Sequence, residues 1–142
     1  MTIAAILSAW QGTVISVECD TPVRDAVARL AEHNIGAMPV IRDGEVVGIM
    51  SERDIIHHLS TDGAAILDWT VAQVMTAPAI TVEPGLNVLA ALSQMTRKRI
   101  RHLPVLEGDR LVGIVSIGDL VKYRIDRIEA EATAMREYIQ GA

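Results

Sequence analysis

The sequence predicts an α/β fold: two pseudo-symmetric repeats of β-α-β-β-α type packed as a disc, with a long C-terminal helix. Three observations carry that expectation. Residues Ile15 to His57 recur without a gap as Ile80 to Lys122, an offset of 65 residues, and Ile35, Pro39, Val40, Gly48, Ser51 and Asp54 return as Ile100, Pro104, Val105, Gly113, Ser116 and Asp119. Within each copy, helix-spaced apolar residues alternate with short strand-like runs. Beyond the second copy, a heptad pattern continues to Ile139. Repetition on this scale marks copies of one supersecondary unit that bury their apolar faces against each other. A two-fold relation between copies creates paired clefts.

Each copy opens with an apolar-periodic segment, Thr2 to Ser8 or Thr70 to Thr76. A brief strand follows (Val14 to Val17; Ile80 to Val82), then a turn at Asp20-Thr21-Pro22 or Pro84-Gly85. Val23, Ala26, Val27 and Leu30, echoed by Val88, Ala91, Leu92 and Met95, have the i, i+3, i+4, i+7 spacing of one buried helical face, and Thr21-Pro22 reads as a cap and first-turn proline. Pro39 to Met50 reads as a β-hairpin turning at Asp43-Gly44, and Pro104 to Val115 repeats it around Gly108. Another helix starts at Ser51 or Ser116. The expected organisation is a first repeat over 1–60, a polar linker over 61–69, a second repeat over 70–125 and a helical extension over 126–142. In the last helix Val121, Ile125, Ile128, Ala132, Met135 and Ile139 step by four and three, a coiled-coil seam that predicts a homodimer.

Composition narrows the function classes. Half of the 142 residues are apolar, enough for a sizeable core. No uninterrupted apolar run reaches membrane-spanning length and no basic, apolar leader begins the chain, so a cytoplasmic protein without a membrane association is expected. The single cysteine, Cys19, reads as a buried structural residue. A net charge of −5, no Phe and few other aromatic residues argue against nucleic-acid binding. The densest basic cluster, Arg97, Lys98, Arg99 and Arg101, reads as a solvated helix face over its first three members. Catalysis has no visible machinery: the four histidines lack metal-ligand spacing, and there is no phosphate loop, dinucleotide fingerprint or nucleophile with a base.

The motif that bears on chemistry occurs twice, as Gly48-Ile49-Met50-Ser51-Glu52-Arg53-Asp54 and Gly113-Ile114-Val115-Ser116-Ile117-Gly118-Asp119. Ser-x-x-Asp at a helix start caps free backbone N–H groups. The same carboxylate can accept hydrogen bonds from the two hydroxyls of a ribose, and a helix N-terminus attracts phosphate. With these paired motifs in register behind Pro-Val hairpin strands, the sequence from Thr2 to Arg124 resembles a stand-alone tandem pair of CBS (cystathionine β-synthase) domains.

That resemblance implies a regulatory module, not an enzyme, that senses an adenine nucleotide (AMP, ATP or NAD(H)) and signals by conformational change to an unidentified effector protein. No other cofactor is implied. It also implies two clefts, each joining the motif of one copy to the first strand and hairpin of the other. One would combine Ser51, Arg53 and Asp54 with Ile80, Thr81, Arg101, His102 and Pro104, where arginines suit a phosphate chain. The other would combine Ser116 and Asp119 with Val14, Ile15, Gly36, Ala37 and Met38. It has Gly118 and Ala37 where the first has Arg53 and His102, so it is expected to bind weakly, to take a nucleoside or the less charged end of a ligand, or to stay empty. The alternatives are an S-adenosylmethionine module, whose sulfonium suits the cation-poor cleft, and an interaction protein without a ligand.

Overall fold

The structure, a computed structural model, describes residues 1–10 and 12–141. In chain order the elements are α1 (Ile3–Ala9), β1 (Val17–Glu18), α2 (Val23–His33), β2 (Ala37–Arg42), β3 (Glu45–Ser51), α3 (Glu52–Asp62), a 3-10 helix (Gly63–Asp68), α4 (Val71–Val74), α5 (Val88–Lys98), β4 (His102–Glu107), β5 (Arg110–Ser116) and α6 (Ile117–Gly141). The two α/β repeats are present as expected. β1 runs parallel to β2, which pairs antiparallel with β3; β4 and β5 form the second hairpin. The first strand of each copy is shorter than expected. Val14 to Ser16 lie outside β1, and in the second copy only Val82 bridges Val105.

The local signals account for most boundaries. At the first hairpin Asp43 and Gly44 both have positive φ (51° and 80°), which the tightest two-residue turns require and Asp-Gly supplies cheaply. α2 begins one residue later than expected, with Pro22 as its N-cap and no side-chain cap. The free N–H of Val23 is instead taken by the carbonyl of Trp69, at 2.8 Å. In the second copy Val88 N–H donates to the carbonyl of Met1, at 3.1 Å.

Those two bonds show how the copies interlock. Each leading segment packs on the other copy: Ile3 of α1 lies in the core of the second repeat, and Val71 and Val74 of α4 lie in the core of the first. Packing therefore does not follow the order of the copies along the chain. The stretch expected to be a polar linker is also folded, because α3 runs to Asp62, the 3-10 helix follows, and Ile66 is fully buried in the first core. The four-residue apolar run Ala64 to Leu67 is too short to carry a periodicity from which a buried position can be read. Truncation of such a residue costs about 2–5 kcal/mol. Ile66→Ala should show that loss in urea denaturation, whereas a solvated linker would show almost none.

The motif glycines owe their identity to this exchange. A Cβ on Gly48 would lie 2.8 Å from both the Thr76 carbonyl oxygen and Met75 Sδ; a Cβ on Gly113 would lie 2.6 Å from Leu7 Cδ2. Neighbouring backbone is fixed at the first site, where Ile49 and Thr76 exchange two backbone hydrogen bonds of 2.9 and 2.8 Å. The second site faces only a rotatable side-chain tip. Overpacking typically costs about 1–3 kcal/mol, so Gly48→Ala should fall at the upper end and Gly113→Ala clearly below it. Equal losses in chemical denaturation would contradict this account.

Candidate functional site

A cavity of about 350 Å³ opens between the repeats. The motif of the first copy forms one wall. Ser51 ends β3 in an extended conformation and caps α3: its hydroxyl accepts from Asp54 N–H at 3.2 Å, while Asp54 Oδ2 accepts from the Ser51 N–H and hydroxyl, both at 2.9 Å. The opposite wall is the chain that emerges from α4. There Thr76 donates its hydroxyl to Asp54 Oδ1 at 2.7 Å, and Pro78, Ala79 and Ile80 continue along the cavity. Asp54 thus accepts three hydrogen bonds, which leaves room for about one more. A ribose hydroxyl has to use that position or displace Thr76.

Three arginines border the cavity, Arg53, Arg99 and Arg101. Among the described residues the ion pairs are Arg24–Asp68 at 3.5 Å and Arg110–Glu107 at 3.4 Å, so none of the three is held by a carboxylate. Arg53 reaches only the carbonyl of Arg99, at 3.4 Å. Arg99 occupies the residue after α5 with φ 54° and ψ 44°, the left-handed region. Its counterpart Asn34 takes the same conformation after α2, but Asn tolerates it far better than Arg. Two carboxylates, Glu52 and Asp54, also line the space, so cations exceed anions by one.

His102 sits where the two copies meet. Its ring is about 3.5 Å from where a Cβ on Gly36 would be. Burial pushes its pKa below the ordinary value, the Asp119 and Glu52 carboxylates partly oppose that, and Arg101 reinforces it. A neutral imidazole at pH 7 can donate through one nitrogen and accept through the other.

Most of the expected first cleft is assembled: Ser51, Arg53, Asp54, Ile80, Arg101 and His102 all border the cavity. Thr81 does not, and Pro104 is buried in β4, where its carbonyl accepts from Val82 N–H at 3.0 Å. The members of the second group differ in exposure. Gly36 borders the first cavity, Ala37 and Met38 are buried, and Val14 and Ile15 are half-buried. Ser116 and Asp119 form their own cap, Ser116 N–H donating to Asp119 Oδ2 at 2.8 Å and Asp119 N–H to Ser116 Oγ at 3.1 Å. Sequence reasoning missed Glu52, Thr76, Pro78, Ala79, Ile100 and Arg99, the last having been read as part of a solvated helix face. The one usable signal was the alignment of Arg99 with Asn34, a residue suited to helix termination. Cys19 also differs from expectation: it is partly exposed, with Arg42 Nε 3.3 Å from its sulfur.

Among the described residues no group of His, Cys, Asp or Glu is placed to hold a metal ion, and no helix is long and apolar enough to cross a membrane. The fold and cleft define a module of two interlocked α/β repeats with a cavity between them that charged and apolar residues line together. The chain belongs to the CBS domain family, whose pattern matches residues 12–61 and 71–126. It is 38% identical over 127 residues to a mitochondrial CBS domain-containing protein of Arabidopsis thaliana, CBSX3, matching 86% of this chain and 62% of that protein. The chain thus spans about three fifths of that relative. It superposes with a TM-score of 0.84 and 37% identity on a putative signal-transduction protein with CBS domains from Burkholderia ambifaria, covering 89% of this chain and 95% of the other. Two structures at 25% identity hold ligands. They are PAE2072 from Pyrobaculum aerophilum complexed with AMP (TM-score 0.74, covering 84% and 89%) and the CBS domain pair of MJ0100 with 5-methylthioadenosine and S-adenosyl-L-methionine (TM-score 0.78, covering 89% and 98%).

The half-buried imidazole of His102 makes stability depend on pH. With its folded pKa depressed, the unfolded chain binds the proton more readily between that value and the ordinary 6.5, so this contribution is complete above about pH 6.5 and is lost as pH falls. The stability difference between wild type and His102→Gln should therefore shift against wild type from pH 8 to pH 5.5. A difference independent of pH, followed by denaturation midpoints, would remove His102 from this role.

Proposed function

We propose that this chain is a regulatory module that binds an adenine nucleotide (AMP, ATP or NADH) between its repeats, works as a homodimer and passes ligand state to an effector protein by conformational change. One observation carries the reading: Arg53, Arg99 and Arg101, none of them paired with a carboxylate, border the same cavity as Asp54. Unpaired arginines beside a cavity are best matched by a phosphate, which Arg binds through paired, permanently charged donors. Asp54 then takes the ribose. The cavity volume falls in the range of small-molecule sites, roughly 300–1,000 Å³. The AMP complex of PAE2072 supports the same ligand class.

S-adenosylmethionine is the second reading, favoured by the MJ0100 complex. Its sulfonium is a cation and gains nothing from three arginines. Signalling requires that the ligand bind two arrangements of the module with different affinity. The interlocked segments offer such an element, because the chain leaving α4 both lines the cavity and packs in the core of the first repeat.

Calorimetry with AMP, ATP, NADH and S-adenosylmethionine on protein stripped of carried ligand tests the assignment. A nucleotide should bind, and Arg101→Ala should weaken it by about tenfold or more, the value of one charge-assisted hydrogen bond. Asp54→Asn, which keeps an acceptor for the cap, should also weaken it. Preference for S-adenosylmethionine would transfer the site to that ligand, and silence across the panel would overturn both readings.

Arg99 gives a separate check because its two effects have opposite signs. Arg99→Asn should raise stability by about 1 kcal/mol, relieving the left-handed strain, while lowering nucleotide affinity. Loss of stability, or unchanged affinity, would show that Arg99 is not held there for its charge.

A further inference from the structure

The last helix leaves a long apolar stripe without an internal partner. In α6 only Leu120 is fully buried, whereas Val121, Ile125, Ile128, Met135 and Ile139 are between 42% and 65% exposed. Leu120 and Tyr123 face the protein's own core. Successive helical residues are about 100° apart, so the stripe lies between a quarter-turn and a half-turn from that face and the body does not cover it. Together with Ala132 the stripe forms a heptad seam, Ile125, Ala132 and Ile139 at one core position and Val121, Ile128 and Met135 at the other.

The charges beside the seam select the partner and its direction. On one flank stand Arg124 and Glu131; on the other, Lys122, Glu129 and Arg136. Parallel copies bring each first-flank residue opposite the second-flank residue five positions on. Arg124 then meets Glu129 and Glu131 meets Arg136, all of opposite sign and each pair occurring twice. An antiparallel pair that covers the whole seam places Ile128 against Ala132, which sets Glu129 against Glu129, Glu131 against Glu131 and Lys122 against Arg136. All three are repulsive. Sliding it by one heptad restores opposite charges but leaves two of the six seam residues uncovered.

We infer that two copies of this chain pair through α6 as a parallel two-stranded coil, with Arg124 and Glu131 of each helix bonded to Glu129 and Arg136 of the second copy. This deepens the homodimer part of the proposed function and is independent of the ligand assignment. The two cavities of the dimer then share one orientation, and a movement of either body relative to α6 is passed to the other through the coil.

The test uses the full chain with Cys19→Ser and Met135→Cys. In a parallel coil position 135 faces its own copy, so mild oxidation should give a disulfide-linked dimer; the full-seam antiparallel coil places it against Ile125. Sedimentation at micromolar concentration should show a dimer of the unmodified chain. Glu131→Arg should raise its dissociation constant several-fold, and adding Arg136→Glu should restore it, because the swapped pair is complementary only across parallel helices. A monomer would overturn the homodimer itself. A dimer that neither cross-links at 135 nor recovers in the double variant would overturn only the parallel arrangement.

Discussion

The exchange of leading segments between the repeats is the constraint from which the rest of the structure follows. Val71 N–H donates to Thr21 O at 2.8 Å, and Ile3 N–H donates to Leu86 O at 2.9 Å, equivalent bonds in the two copies. Each ties a short helix to the turn before the long helix of the other repeat. α4 has only four residues and α1 seven, lengths too short to hold a helix in water without tertiary packing. Their stability comes from the apolar side chains they place in the other copy's core. Neither repeat completes its core without the other.

The same exchange builds the cavity. Once α4 is seated on the first repeat, Thr76 is bound to Ile49 from both sides and the next residues have to cross in front of the Ser51–Asp54 helix start. That crossing forms the second wall. It is also why position 48 has no room for a side chain. A polar site therefore arises at the join between repeats, where backbone from one copy runs against a helix N-terminus of the other, and its geometry is fixed by packing some distance away.

Symmetry of scaffold contrasts with asymmetry of content. Arg53, Arg99, Arg101, His102 and Thr76 correspond to Gly118, Asn34, Gly36, Ala37 and Ser8. At each of these positions the first cavity has the larger polar or charged group. The substitutions have a cost where the backbone is special, because Arg99 keeps the left-handed conformation that Asn34 adopts more easily. Charge gathered at one cavity under local strain is the pattern expected of a site selected for binding, since strain of this kind persists only where surrounding structure enforces it.

The sequence by itself determined the repeat, its element order, the hairpins and the two capping motifs. All of these are written in local periodicity, in turn residues such as Asp43-Gly44, or in the 65-residue register. It also assigned six of the cavity's residues, because family resemblance and repeat alignment place Ser51, Arg53 and Asp54 opposite Ile80, Arg101 and His102. Tertiary structure alone decided which core each leading helix enters, that Ile66 is buried, and that Gly36, Arg99 and Thr76 border the first cavity. Those facts depend on contacts between residues distant in the chain. Hydrophobic burial rewards any apolar surface that fits, and nothing in α1 or α4 distinguishes its own repeat from the similarly patterned other one until both are packed.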